Sequence, residues 1–413
     1  MTIRYGLLVL LLAWNCPVTC ADNVPLAQPY LIKGDHVGGA AALREHLQAN
    51  PKDDQARFGL GLIEFLQTAE HLGTNLYRYG LRTERAFRGP GRERLPLSQL
   101  APQNPNPEQL SYVKLRQIAQ TIVDDLKRVE DTLAAITDPT VKLRLPMDRV
   151  KVDFFGLGKP IDAVLLMQMN GTKAPSEPYE IAFDRGDVNW LRGYCHLLSA
   201  WAEIYLAVDT QEMFECCAHL LFEDVVTPHK FLLDPDRAFD RIQALDQPTI
   251  SDVLAYLHLW RFPVKEPERM KRALAHLEAM LVQAREMWTH YLAETDNDHE
   301  WIPNPKQTGV LGVPVSLEMV TLWQIALKET DLVLQGKALI PFWRGKDKTV
   351  GLNFRRIFTE PRNLDPFLWW QGTAATPYLE EGPISDLARG ELFNRLNTTF
   401  GGTGFFRFAF WFN

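Results

Sequence analysis

Residues 295–309, TDNDHEWIPNPKQTG, place Asp296, Asp298, His299 and Glu300 within five positions, next to Trp301 and two prolines. Carboxylates alternating along a loop suggest a calcium cradle. An EF-hand loop, however, needs glycine at its sixth position and a bidentate glutamate at its twelfth. Counted from Asp296, those places hold Trp301 and Gln307, so the pattern fails. A zinc site would use His290 and Glu294, one helical turn apart, together with His299. Met270, Leu274, Leu277, Leu281, Trp288 and Leu292 mark the apolar stripe of the helix that carries them, and His290 falls roughly opposite it, toward water. No metal and no cofactor is therefore assigned. What remains is proton chemistry, with Asp298, His299 and Glu300 as acid–base groups and Trp301 as the wall of a cleft.

A second set lies in GDVNWLRGYCHLLSAWAEIYL. Trp190, Leu191, Tyr194, Leu197, Leu198, Trp201, Ile204 and Tyr205 make this helix apolar on most sides. One stripe is polar: Asn189, Arg192, His196, Ser199 and Glu203 recur at three- and four-residue spacing over about 80° of the circumference. A helix buried on most of its surface is central. Its polar stripe is a solvated edge, an internal network or the lining of a site. In the last case His196 and Glu203 join the acid–base set and Arg192 binds ligand, because a partly buried histidine titrates near neutrality.

A third set lies in LDPFLWWQGTAATPYLEEGP. Trp369, Trp370, Gln371 and Glu380 combine aromatic platforms with a carboxylate, as sugar sites do. Glu380 and Glu381 are adjacent and would point to opposite faces of a strand, so any catalytic pair must be completed from elsewhere, for instance by Glu300. Cys195, Cys216, Cys217 and neighbouring histidines lack metal-ligand spacing and are expected to be free thiols. Asp209 and Glu212 read as a capping box. Arginines 78, 82, 85, 88, 92 and 94 read as solvated charge on a loop.

The elements that must hold these groups are mostly helical. Residues 108–136, 187–208, 266–293 and 316–335 show helical spacing of apolar residues. RVKVDFF, IDAVLLMQM and YEIAF read as a small strand cluster, LNFRRIF as a short strand, and the terminal GFFRFAFWFN as a buried strand. Arg4 followed by the apolar run Gly6–Trp14 and small residues near 20 reads as a cleaved leader, too short to span a bilayer. The expected layout is a leader at 1–21, an N-terminal helical part at 22–145, a small β segment at 146–183, a central helical part at 184–336 and an irregular α/β segment at 337–413. The fold class is mainly α, a set of helical hairpins or a bundle with a small β insertion. A net charge of −7 gives no nucleic-acid footprint.

LREHLQANPKDDQARFGLGLIEFLQ resembles the join between two tetratricopeptide units, with Leu47, Pro51, Leu60 and Gly61 at matching places and Glu64 and His46 departing from the pattern. The resemblance implies one helical hairpin near 39–79, not an array. GDVNWLRGYCHLL, DHEWIPNPKQTG and FTEPRNLDPFLWWQGTAATPYLEEGP resemble an uncharacterised family of secreted bacterial proteins, which implies export but no activity. The expectation is a binding or scaffolding protein of the cell envelope, whose partner is a protein or a small molecule and whose chain has no membrane span. The alternative is a hydrolase that uses His196, Glu203, Asp298, His299 and Glu300 in one cleft, with or without the help of a metal ion.

Overall fold

A computed structural model describes residues 24–82, 102–163, 178–234, 247–346, 349–387 and 390–401. The leader, most of the arginine loop, residues 164–169 of IDAVLLMQM and the terminal GFFRFAFWFN lie outside these residues.

The described chain is mainly α. A short helix α1 (Gln28–Lys33) precedes the hairpin of α2 (His36–Ala49) and α3 (Asp54–Arg78). Both hairpin helices open on an aspartate: Asp35 accepts from Gly38 N, and Asp53 accepts from Ala56 N. This is the carboxylate N-cap that satisfies an otherwise unpaired amide. Next come α4 (Tyr112–Ala134), capped by Ser111, and α5 (Arg185–Ala207), capped by Asp184. They are followed by α6 (Gln211–Cys217), α7 (Gln247–His258) and α8 (Pro267–Ala293). The chain continues through α9 (Leu317–Leu334), capped by Ser316, and three short helices: α10 (Phe354–Thr359), α11 (Pro366–Gln371) and α12 (Glu391–Thr399). Neighbours pack in the order α2, α3, α4, α5, α8, and α8 meets α9 and α10 on its far side.

The strands are few and short. β1 (Leu143–Pro146) pairs antiparallel with β4 (Glu180–Phe183), Leu143 opposite Phe183. β2 (Lys151–Val152) pairs with β3 (Ile161–Asp162). β5 (Ile340–Pro341), β6 (Val350–Leu352) and β7 (Leu379–Glu381) form one antiparallel sheet in that order. LNFRRIF is thus not a strand through its length. Pairing stops at Leu352, and Asn353, accepting from Arg356 N, caps α10. The Asp209/Glu212 box is also replaced: α6 opens at Thr210, and Asp209 accepts from Gln211 N. Leu292, placed on the apolar stripe of α8, is exposed, and His290, placed toward water, is half-buried. The buried face of α8 instead ends in Met287, Trp288 and Tyr291.

Two large apolar cores share α5. Val188, Leu191 and Cys195 pack with α2, α3 and α4 in one, while Ala200 and Ala207 pack with α8 and α9 in the other. Trp190 touches both. Among the described residues no helix is long and apolar enough to cross a membrane.

The join of α5 to α8 is close at Gly186. A Cβ there would lie 2.4 Å from Cε1 and 2.5 Å from Cδ1 of Tyr291. That ring is buried and its hydroxyl is tied to Asp187 at 2.6 Å, so it cannot swing aside freely. Alanine ordinarily favours a helix over glycine by about 1 kcal/mol. Here overpacking outweighs that gain, and Gly186→Ala should destabilise the protein by roughly 1–3 kcal/mol. Thermal or urea unfolding reads this directly, and an unchanged or raised midpoint would refute it.

Candidate functional site

Asp184 and Asp187 stand at the N-terminus of α5 and form a reciprocal cap. Asp184 accepts from Gly186 N at 2.6 Å and Asp187 N at 3.3 Å, and Asp187 accepts from Asp184 N at 2.9 Å. Carboxylates belong at this end, where free amides and the helix dipole favour negative charge. The C-terminus of α8 meets them. Tyr291 donates to Asp187, and Glu294 is hydrogen-bonded to Asp184. Glu300 arrives on the loop that follows, and one oxygen each of Asp184, Glu294 and Glu300 lie within 4.8 Å of one another.

That spacing forces a choice: three carboxylates so close hold a hard cation or share protons. Among the described residues no other group has metal-ligand spacing. The surroundings already answer the charge. Burial first, and then the Asp184 carboxylate, push the Glu294 carboxyl up to about 10, so it carries a proton and donates it to Asp184. Glu300 is raised by burial and by Asp184, against one hydrogen bond from Asp298 N at 2.7 Å. Asp187, fully buried, is raised by burial and by Asp184. Glu294 and Asp184 thus share a proton across the knot.

The loop 294–309 is stapled around this knot. Asn304 donates to the carbonyls of Tyr291 and Glu294, and Gln307 reaches Glu294 at 3.3 Å and the Asp296 carbonyl at 2.9 Å. Val310 N bonds Glu300 O, and Ala182 N bonds His299 O, which attaches the loop to β4. His299 alone among the described non-glycine residues has positive φ, at 59°, a region that only a few residue types visit readily.

The candidate residues fall into separate partnerships. Arg144 binds both oxygens of Asp298 at 2.6 Å, and His299 Nδ1 lies 3.1 Å from Asp298 Oδ1. Burial raises the Asp298 carboxyl, but the bonds from His299 and Arg144 outweigh it and the group stays ionised. Trp301 is buried against Phe183 and Trp190, with ring centres at 6.0 and 5.7 Å. The polar stripe of α5 is an internal network. Arg192 makes a forked pair with Glu130 on α4. His196 Nδ1 lies 3.1 Å from His276 Nδ1 on α8, and its other nitrogen lies 3.5 Å from Glu130. Asn189 donates to Gln283 and Glu286. Glu203, 3% exposed, receives Arg269 and Arg272. Glu130 sits in a buried place that raises its carboxyl, yet His196 and Arg192 hold it low on balance. His276 is lowered by burial first and then by His196, which keeps it neutral.

Of the third set, Trp369 stacks on Tyr378 at 5.7 Å, Trp370 is 80% exposed, and Gln371 accepts from Thr373 N. Glu380 accepts from Asn353 Nδ2 at 2.7 Å and lies 3.6 Å from Arg356. Cys195, Cys216 and Cys217 are free thiols. Burial pushes Cys217 up to about 11 and Cys195 well above its ordinary range, so neither is a ready nucleophile.

An open groove of about 430 Å³ is lined by Tyr112, Arg116, Gln117, Gln120, Glu266 and Arg269 among others, and none of the candidate residues lines it. Arg116 and Arg269 in this groove are already committed to Glu266, and Arg269 also to Glu203.

Sequence reasoning missed Asp184 and treated Glu294 only as a zinc ligand. The D-x-x-D spacing of 184 and 187 was the available signal, since it is a capping pattern that places both acids at one helix end. Neither protein-family models nor curated proteins nor solved structures yield a match to this chain, so its own residues carry the functional argument.

The Glu294 proton sets a pH dependence. The folded protein keeps a proton that the unfolded chain releases at an ordinary 4.5, and the folded carboxyl releases it only near 10. Across that window the folded state binds more protons, so stability falls as pH rises. Gln at 294 supplies the donor without a proton. Melting measured at about pH 5 and about pH 9 should therefore drop less in Glu294→Gln than in the parent. Parallel profiles for the two proteins would show that the knot does not hold this proton.

Proposed function

We propose that the protein binds or scaffolds in the cell envelope and does not catalyse hydrolysis. One observation carries this reading: of the candidate acid–base side chains, Glu203, Asp298 and His196 are spent on internal partners and Glu300 is buried, while only His299, held to Asp298 through Nδ1, is exposed. A general base needs a lone pair aimed at substrate, within hydrogen-bond reach of the proton it takes. Glu203 spends both oxygens on two arginines, Asp298 spends both on Arg144, and His196 is enclosed by Glu130 and His276. Asp184 and Glu300, at 4% and 3% exposure, are closed off from any substrate. The leader-like run Gly6–Trp14 supports placement in the envelope.

The purified protein should show no turnover above buffer on chromogenic ester, phosphate, glycoside and peptide substrates. His196→Ala and Glu300→Gln should change melting temperature without changing that result. Turnover in the parent that either substitution removes would reinstate the hydrolase.

A further inference from the structure

The described surface carries an apolar patch built from two elements distant in sequence. Asp252 on α7 and Leu259 just after it are buried, while Val253, Leu254 and Leu257 on α7 are exposed. Just beyond it, Trp260 lies 5.7 Å from Phe367 of α11, ring centre to ring centre, and 5.5 Å from Tyr256. The backbones beside these rings are joined, since Phe262 and Leu364 exchange hydrogen bonds at 2.7 and 2.9 Å. Within α11 the faces separate. Trp369 turns inward onto Tyr378, whereas Phe367, Leu368 and Trp370 are 44, 48 and 80% exposed. Scattered exposed apolar residues need no explanation, but a contiguous set this rich in aromatics does.

The charges around the patch have one prevailing sign. Arg261 adjoins Trp260 and Arg362 lies two residues from Leu364, both exposed. Arg344 and Lys346 are exposed on the segment next to α11, where Trp343 donates to the Trp370 carbonyl and the Arg344 side chain lies against Gly372. Of the described acids nearby, Asp365 caps α11 and Glu360 is paired with Arg356.

We propose that this face seats the protein on an anionic lipid surface, with Trp370, Phe367 and Leu368 entering the headgroup boundary and Arg261, Arg344, Lys346 and Arg362 contacting lipid phosphates. This inference names a partner for the scaffold reading above and rests on it. Tryptophan favours the lipid–water boundary because it joins a large apolar body to a polar N–H. Basic side chains beside it add attraction to anionic headgroups. A protein partner would instead draw its affinity from anchors seated in pockets. The grooves of about 430 and 240 Å³ lie elsewhere, around Tyr112 and Arg116.

Co-sedimentation of the full chain with phosphatidylcholine vesicles, with and without about 30 mol% phosphatidylglycerol, tests this. The run Gly6–Trp14 is common to all the proteins compared, so the difference between parent and variant reads the patch alone. Trp370→Ser with Phe367→Ser should weaken binding to the anionic vesicles by roughly tenfold or more. Arg344→Glu with Lys346→Glu should weaken it comparably, and raising the salt should weaken the parent. Trp370 is 80% exposed, so Trp370→Ser alone should keep the melting temperature within about 2 °C of the parent and still weaken binding, which separates loss of the patch from loss of the Trp260–Phe367 contact. Failure to bind anionic vesicles, equal binding by parent and patch variants, or a lipid-independent doubling of mass that Trp370→Ser abolishes would each overturn the proposal. None of these three results bears on turnover, so the binding reading is tested separately by the substrate panel.

Discussion

The hydrogen bond from Tyr291 to Asp187 ties the beginning of one long helix to the end of another, and the rest of the architecture depends on that join. It sits where Gly186 leaves room for the Tyr291 ring, at the level where the loop after α8 must turn back toward β4. Burying a carboxylate without partners would be costly. Asp187 offsets part of that cost by accepting from the Tyr291 hydroxyl and the Asp184 amide, and Asp184 in turn accepts from two amides and the Glu294 carboxyl. The acids there are held by backbone amides, a phenol and a shared proton. This gives the segment TDNDHEWIPNPKQTG its role. Its polar side chains fasten a loop around a proton-sharing knot, and its tryptophan fills the space between β4 and α5.

The polar stripe of α5 does a different job on the same helix. Buried ion pairs add little net stability compared with well-packed apolar residues, because desolvation offsets most of the attraction. They do penalise misalignment. Arg192 with Glu130 sets α5 against α4; Asn189 with Gln283 and Glu286, His196 with His276, and Glu203 with Arg269 and Arg272 set it against α8. Sliding α8 by one turn, about 5.4 Å, would break all of the latter at once and leave charges buried without partners. Ala200, Ala207, Ala273 and Ala284 lie in the same core as the larger Met270, Leu274, Met287 and Trp288, so shape and polar pairing act together there. The polar residues add a penalty for misalignment to the register that the packed side chains set.

How far this was legible in the sequence follows from the range of each signal. Periodicity over many residues announced α4, α8 and α9, and Ser316 marked the start of α9. The near-continuous apolar surface of α5 announced a central helix. What it packs against was not legible, because Glu130, Gln283 and Arg269 lie 62, 94 and 66 residues from their partners on α5. The acid knot was hidden for the same reason: Asp184 and Glu294 are ordinary residues until two helix ends meet. LNFRRIF was misread because the strand preference of its Phe and Ile residues was given more weight than the asparagine that caps a helix there. In LDPFLWWQ the Asp-Pro pair was a usable helix start, with Asp365 at the cap and Pro366 at the first turn. Read as a helix, the two adjacent tryptophans diverge by about 100°, which is why one is in the core and the other in water.

Charge raises the remaining physical question, since the chain carries −7 overall while the patch around Trp370 is rimmed by bases. An anionic surface repels the molecule as a whole, but that repulsion decays within about 10 Å at ordinary salt. Inside that distance only the nearest groups matter, and which groups are nearest depends on orientation. Acidic faces are turned away while the face bearing Arg261, Arg344, Lys346 and Arg362 is drawn in. Overall charge and local charge of opposite sign thus select one approach geometry where a uniformly basic protein would accept many. In that geometry α11 meets the surface first. The short helix is fixed from behind by the stacking of Trp369 on Tyr378 and by the Trp343 bond to its last turn, so Trp370 is presented on a rigid support and little ordering entropy remains to oppose its insertion.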